Sequence, residues 1–255
     1  MKAVVKQVEF PAGRRILVIS DIHGNLPWFQ ALLAKAGFSR EDILVLVGDL
    51  VEKGRDSLAT LRDIMELSAT HTVYALCGNC DNLAVDFIYG NGELGRDFYR
   101  FYLSVWGERA LILQMAAEAG MEVRGPGDLP GLRMLLLERF RSELEFLRSL
   151  PTILESEHLV FVHGGVPSYA HMEELDAWQC MKNDDFLGQG RVFPKYCVVG
   201  HWPVALYRPP LFQSHHRTDA EDHQHRRRLC AQAGRTAQRA GDPGGGQRGV
   251  LLDQL

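Results

Sequence analysis

Arg15-Ile16-Leu17-Val18-Ile19-Ser20-Asp21-Ile22-His23-Gly24-Asn25 joins an apolar, β-branched run directly to a carboxylate and an imidazole one residue apart. A run of this kind fits a strand buried on both faces, in a sheet covered by helices. The polar residues that end it then stand at the strand's carboxyl end, where the ligands of open α/β sheets gather. The pattern recurs along the chain. Ile43-Leu44-Val45-Leu46-Val47 runs into Gly48-Asp49, and Thr72-Val73-Tyr74-Ala75-Leu76 into Cys77-Gly78-Asn79. Further on, His158-Leu159-Val160-Phe161-Val162 runs into His163-Gly164-Gly165, and Tyr196-Cys197-Val198-Val199 into Gly200-His201. Helical stretches, Trp28 to Ala36 and Ser57 to Ser68, fill the gaps between the first three runs. Strand and helix therefore alternate over residues 1–85, and the fold class expected is α/β.

From about Phe87 to Leu150 the pattern changes to amphipathic helical segments, Leu94 to Ala119 and Leu132 to Leu150, broken by Gly125-Pro126-Gly127-Asp128-Leu129-Pro130-Gly131. Residues 87–150 are read as a helical insertion in a domain spanning 1–214, placed to cover the site and select substrate. Its aromatic residues Phe98, Tyr99, Phe101, Tyr102 and Trp106 fit the core of a helical lobe better than a substrate wall.

Residues 215–255 break with everything before them. They carry four of the chain's ten histidines, His215, His216, His223 and His225, and little periodicity. Taken literally this is a disordered extension with some capacity for metal. A one-base frameshift after about Ser214 explains it better. Asp222-His223-Gln224-His225 must be encoded GAY CAY CAR CAY, and the same bases read one position later permit Ile-Ile-Ser-Ile. Continuing through the arginines permits Asp-Gly-Gly-Cys-Ala-Leu-Lys, and beyond Asp242 the shifted frame offers further strand-forming words.

Bulk properties narrow the classes of function. A chain of 255 residues, 46% hydrophobic, can bury one large core without disulfides. The start MKAVVKQVEF lacks an export signal, and no segment reaches about 18 uninterrupted apolar residues, so a cytoplasmic protein with no membrane partner is expected. Five scattered cysteines suit a reducing compartment. A net charge of −4 gives no reason to expect nucleic acid as a partner.

Two divalent ions about 3.5–4 Å apart need a bridging carboxylate, further oxygen and imidazole ligands, and room for a water. Asp21 and His23 can turn toward one ion, Asp49 can bridge, and Asn79, His163 and His201 can complete the second. Any one of these has a plainer reading, a helix cap or a core histidine. Five such words in order, each ending a strand, do not.

The words SDIHGN, GDLVEKGRDS, GNCD, VHGGVPS and VGHWPV resemble the calcineurin-like metallophosphoesterases, and within them the PPP-type serine/threonine phosphatases and the bacterial diadenosine tetraphosphatases. The resemblance covers residues from about 15 to 210. It implies a β-sandwich flanked by helices, two ions (Mn, Fe or Zn) on Asp21, His23, Asp49, Asn79, His163 and His201, and hydrolysis of phosphate esters by a hydroxide bridging them. The implied partner is a phosphorylated substrate, phosphoprotein or nucleotide. Around the ligands the match departs. Where the phosphatases usually have GDxVDRG and GNHE, this chain has Glu52-Lys53-Gly54 and Asn79-Cys80-Asp81. Glu52, Lys53, Arg55, Cys80 and Asp81 are therefore the candidates for the remaining catalytic roles. Lys53 keeps a charge for a phosphate oxygen but lacks the fork of arginine. Cys80 is the larger departure, since a thiol is poorly suited to protonate a leaving alkoxide near neutral pH. Either the substrate's leaving group needs little protonation, as in a dinucleoside polyphosphate or a diester, or another residue supplies the proton. A metal-binding protein without catalysis is the third reading.

Overall fold

The computed structural model describes residues 1–90, 102–186, 193–203, 231–232 and 248–252. Two sheets face each other. One has the order β4-β3-β2-β9, from β2 (Ile16–Ser20), β3 (Ile43–Leu46), β4 (Thr72–Ala75) and β9 (Arg248–Leu252). The other has the order β1-β5-β6-β7-β8, from β1 (Val5–Gln7), β5 (Ile153–Glu155), β6 (Leu159–Val162), β7 (Tyr196–Val199) and β8 (Ala231–Gln232). β2, β3 and β4 are parallel, with Val18 opposite Val45 and Val45 opposite Tyr74. β6 and β7 are parallel too, with Phe161 opposite Val198.

The unbroken apolar runs follow from burial on both faces of each sheet. Val18, Ile43, Val45, Val47 and Leu76 meet Leu154, Leu159, Phe161 and Val198 between the sheets. The alternate residues point outward. Leu17, Ile19, Leu44 and Leu46 pack under helices α1 (Leu26–Ala36) and α2 (Ser57–Thr70), contributing to one cluster with Phe29, Leu61 and Ile64. On the far face, Val160, Val162, Cys197 and Val199 pack with Met172, Cys180, Phe186 and Phe193. Period-2 side chains with both faces covered leave no polar position inside β2, β3, β6 or β7 short of their ends.

Residues from the expected helical insertion join the first of these clusters, so they are continuous with the main core. Helix α3 (Asp81–Tyr89) leads into α4 (Leu111–Glu118), α5 (Leu129–Arg139) and α6 (Arg141–Ser149), whose Leu111, Ile112, Met115, Leu132, Leu136, Leu144 and Leu147 are buried there. Two long helices expected from periodicity are shorter. The Leu94–Ala119 stretch is interrupted by Gly107 at φ +51, and its first part, with Phe98, Tyr99 and Phe101, lies outside the described residues. The Leu132–Leu150 stretch divides at Phe140, which leaves helical geometry with φ −125 and ψ 31 while its ring stays buried. Pro130 and Gly131, read as breakers, fall in the first turn of α5, where a proline's missing N–H costs nothing. The short strands β1 and β5 carry too few residues to show a period.

Two short strands lie among the described residues of the tail. β9 pairs antiparallel with β2, and β8 lies parallel beside β7. Gly249-Val250-Leu251-Leu252 is an apolar run at the sheet edge that β2 would otherwise leave open. The tail histidines lie outside the described residues.

One polar clamp fixes where β2 begins. The Arg15 guanidinium donates from Nε and Nη2 to the two carboxylate oxygens of Asp42, at 2.8 and 2.7 Å. It also donates to the carbonyls of Ala36 and Gly37, which end α1. Asp42 accepts a third bond from the Ser39 amide. The Arg15 hydrogen bonds hold the Asp42 carboxyl below its ordinary value, against the effect of burial. Such a group adds stability above its unfolded pKa and loses that contribution as pH falls through the depressed folded value. Asp42→Asn should therefore destabilise the protein by about 1.5–3 kcal/mol at pH 7. The gap from the unsubstituted chain should close as pH is lowered below the ordinary aspartate range. Urea denaturation across pH measures this, and a gap independent of pH would contradict the charge-based account.

Candidate metal centre

The loops that follow β2, β3 and β4 in one sheet and β6 and β7 in the other meet at one end of the sandwich. Backbone bonds join the first two: Asp21 N–H donates to Gly48 O at 3.0 Å, His23 N–H to Asp49 O at 2.9 Å, and Gly24 N–H to Leu50 O at 2.9 Å. The loop after β7 closes onto them when His201 N–H donates to the Asp21 carboxylate at 3.0 Å. The packing leaves no space at the glycines of these words. A Cβ on Gly78 would overlap the amide nitrogen and carboxylate of Asp49, and one on Gly200 would overlap Ser20 Oγ.

Asp21, His23, Asp49 and His201 all hold positive φ, at 56, 50, 53 and 63 respectively, as do Glu52 and Lys53. Side chains other than glycine rarely adopt this region, at a cost of order 1–3 kcal/mol each. The surrounding hydrogen bonds hold the loops in it. At Asp21, His23, Asp49 and His201 it accompanies side chains that converge on one cluster.

Asp49 lies at the middle of the cluster, 2% exposed. Its Oδ2 is 3.6 Å from His23 Nε2, and its Oδ1 is 3.3 Å from His163 Nε2 and accepts the Cys80 amide at 2.9 Å. Asp21 Oδ1 is 3.9 Å from His23 Nε2. The rings of His163 and His201 lie 5.2 Å apart, and one donor atom from each of Asp49, His163 and His201 falls within a 4.8 Å group. Burial opposes ionisation of Asp49, but the neighbouring His163, His23 and Lys53 outweigh it and hold the carboxyl well below its ordinary value. Burial likewise opposes charge on His163, yet Asp49 lifts that imidazole to about 9. The pocket calls for positive charge.

The donor set fits divalent cations. His163 Nδ1–H donates to Val47 O at 2.7 Å, which turns Nε2 toward Asp49. That Nε2 is buried with the Asp49 carboxylate facing it at 3.3 Å, and Asn79 Oδ1 is buried with no hydrogen-bond partner among the described residues. An unsatisfied amide oxygen beside two carboxylates and three imidazoles forms a ligand set.

The five other candidates divide. Lys53 Nζ lies 3.2 Å from His23 Nε2 and 5.7 Å from the centre of the Trp106 ring, at the exposed rim of the cluster. Trp106 stacks edge-on against buried Tyr102. Arg55 lines a groove with Arg62, Glu66, Gln114 and Glu118, and no hydrogen bond or ion pair holds it among the described residues. Glu52 turns into the interior. It is fully buried, and its Oε2 accepts the Leu111 amide at the first turn of α4, so it anchors the insertion. Burial pushes its carboxyl well above the ordinary range. Asp81 lies in the interior too. It is 0% exposed and accepts the amides of Leu50, Val51 and Gly78 at 2.8, 3.2 and 2.8 Å, which ties the second loop to the third. Burial and the Asp49 charge raise it to about 7. Cys80 is 1% exposed, too enclosed to offer a proton to a leaving group at the surface.

The sequence reading missed Asp184. Its Oδ1 accepts from His201 Nε2 at 2.7 Å, which leaves the ring's other nitrogen for the cluster. Nothing in Lys182-Asn183-Asp184-Asp185 marks it out, since acidic residues in polar loops are common.

The chain resembles known proteins. A model described as calcineurin-like phosphoesterase matches residues 14–205. The chain is 33% identical over 84 residues to serine/threonine-protein phosphatase 1 of Salmonella typhimurium, covering 32% of this chain and 37% of that one. It is 43% identical over 65 residues to the symmetrical bis(5'-nucleosyl)-tetraphosphatase of Pectobacterium atrosepticum, covering 25% of this chain and 22% of that one. The matches thus span well under two thirds of either relative. A solved metallophosphoesterase from Sphaerobacter thermophilus superposes with a TM-score of 0.44 at 22% identity, over 73% of this chain and 59% of that one. With the family match running from β2 past the last loop of the cluster, the chain belongs to the calcineurin-like phosphoesterases, a family that works with a dinuclear metal centre.

Proposed function

We propose that this protein is a metal-dependent phosphoesterase, most like a bacterial PPP-type serine/threonine phosphatase. The observation that carries the reading is the convergence of His163 Nε2 on the Asp49 carboxylate, beside a buried Asn79 Oδ1 that has no hydrogen-bond partner among the described residues. In this reading Asp21, His23 and Asp49 hold one divalent ion, and Asp49, Asn79, His163 and His201 hold the other, with Mn, Fe or Zn as the metals. Bound there, the ions would supply Lewis acidity toward a phosphoryl oxygen and an activated water.

The chain's own residues do the rest. The Val47 carbonyl and Asp184 fix the tautomers and planes of His163 and His201. Lys53, at the rim, neutralises charge on a phosphate oxygen. Glu52 and Asp81 hold the loops in register. Beyond Ser214 the chain supplies none of these groups. Its frameshift origin stands as a separate proposal, which resequencing the gene tests.

A second reading, hydrolysis of dinucleoside polyphosphates or phosphodiesters, has one observation in its favour. Cys80, at the position where the related phosphatases carry histidine, is enclosed, so substrates whose leaving groups need little protonation are the ones it suits. Assay of a phosphopeptide, a bis-nucleoside tetraphosphate and an aryl diester with Mn separates the two. The first reading expects the highest kcat/KM on the phosphopeptide, and a dominant rate on either other substrate replaces it with the second. Asp184→Asn should weaken metal binding by about 10–100-fold while leaving the melting temperature of the metal-free protein nearly unchanged. Equilibrium dialysis measures this, and unchanged affinity would remove Asp184 from the centre.

A further inference from the structure

Cys80 has a better use than proton transfer. Its sulfur, one ring nitrogen of His23 and one carboxylate oxygen of Asp49 all lie within 4.8 Å of one another, a second group overlapping the first at Asp49. Ligands on a common tetrahedral ion, at about 2.0–2.3 Å from it, stand roughly 3.3–3.6 Å apart. His23 Nε2 and Asp49 Oδ2 already stand at 3.6 Å. The thiol needs no large movement to join them.

Two further contacts fix where the sulfur sits. The Cys80 amide donates to Asp49 Oδ1, so the residue is tied by its backbone to the central carboxylate. Asn79 Nδ2 lies 3.4 Å from Sγ and donates to it, so the amide's other atom is the buried Oδ1, which has no hydrogen-bond partner among the described residues. The sulfur therefore lies beside the cluster between two candidate ligands, enclosed from solvent.

We infer that Cys80 Sγ is a fourth protein ligand of the ion held by Asp21, His23 and Asp49, an inference that rests on the two-metal reading above. As the sulfur–metal bond forms, the thiol proton leaves to solvent and no electron changes hands. A thiolate in an oxygen and imidazole set shifts preference toward the softer ions Zn(II), Fe(II) and Co(II) and away from Mn(II) and Mg(II). The cysteine then selects the metal, and its replacement of histidine in this word is a change of ligand set.

Cobalt provides the test. The full chain is stripped with chelator, kept reduced with a phosphine, loaded with Co(II), and examined by absorption and by equilibrium dialysis. Two bound equivalents with a near-ultraviolet thiolate-to-cobalt charge-transfer band are expected. Cys80→Ser should lose that band and keep the weaker visible cobalt bands, while Cys77→Ser, altered at the neighbouring buried thiol, should keep all of them. The preference for Zn(II) over Mn(II) should fall at least about tenfold in Cys80→Ser. Two equivalents bound by the unsubstituted chain without the charge-transfer band, or a band that survives Cys80→Ser, would overturn the inference and leave the two-metal reading intact. Failure to bind cobalt at all would overturn both. The spectrum of the unsubstituted chain decides the matter even if the serine variant folds poorly.

Discussion

An ionised carboxylate buried between two sheets is the constraint around which this structure is arranged. Asp49 is 2% exposed, and removing such a charge from water costs several kcal/mol unless partners replace the lost hydration. One backbone amide and two imidazoles surround it, and they come from both sheets. The sandwich cannot part at this end without stranding the charge, so packing of the core and integrity of the site are one problem. The left-handed backbone of Asp21, His23, Asp49 and His201 belongs to the same solution. It is unfavourable locally and is held because it brings compensating groups to the carboxylate.

Much of this was legible in the sequence, for a definite reason. Strands covered on both faces read as pure apolar runs, so the first polar residue after each run marks where it ends. The sandwich itself came from the resemblance, since an apolar run does not say which sheet it joins. What could not be read were roles that depend on side-chain direction. Glu52 and Asp81 occupy positions suggestive of catalysis, yet one turns to the first turn of α4 and the other binds three amides. Asp184 lay hidden because its meaning comes only from His201, 17 residues away in sequence. The helical region was the least legible, because its breaks at Gly107 and Phe140 answer to tertiary packing.

The helices and the cluster communicate through two contacts of different character. Glu52 joins the loop after β3 to the first turn of α4 in the dry interior, whereas Lys53 beside it meets the Trp106 ring at the rim. Adjacent residues thus bind the insertion to the loop once through a buried hydrogen bond and once through a solvent-exposed charge. Salt weakens the second kind far more than the first, so the rim can change its arrangement while the anchor stays fixed.

The hydrogen bond from His201 to Asp21 spans 180 positions of sequence, and the one from His163 to Val47 spans 116. Contacts of such separation come late in folding, because the entropy of closing the chain must be met before they reward it. During synthesis the cluster cannot exist until residue 201 has left the ribosome, although β2, β3 and β4 can pair long before. The early parallel strands therefore carry an Asp49 whose partner His163 has still to arrive with the second sheet.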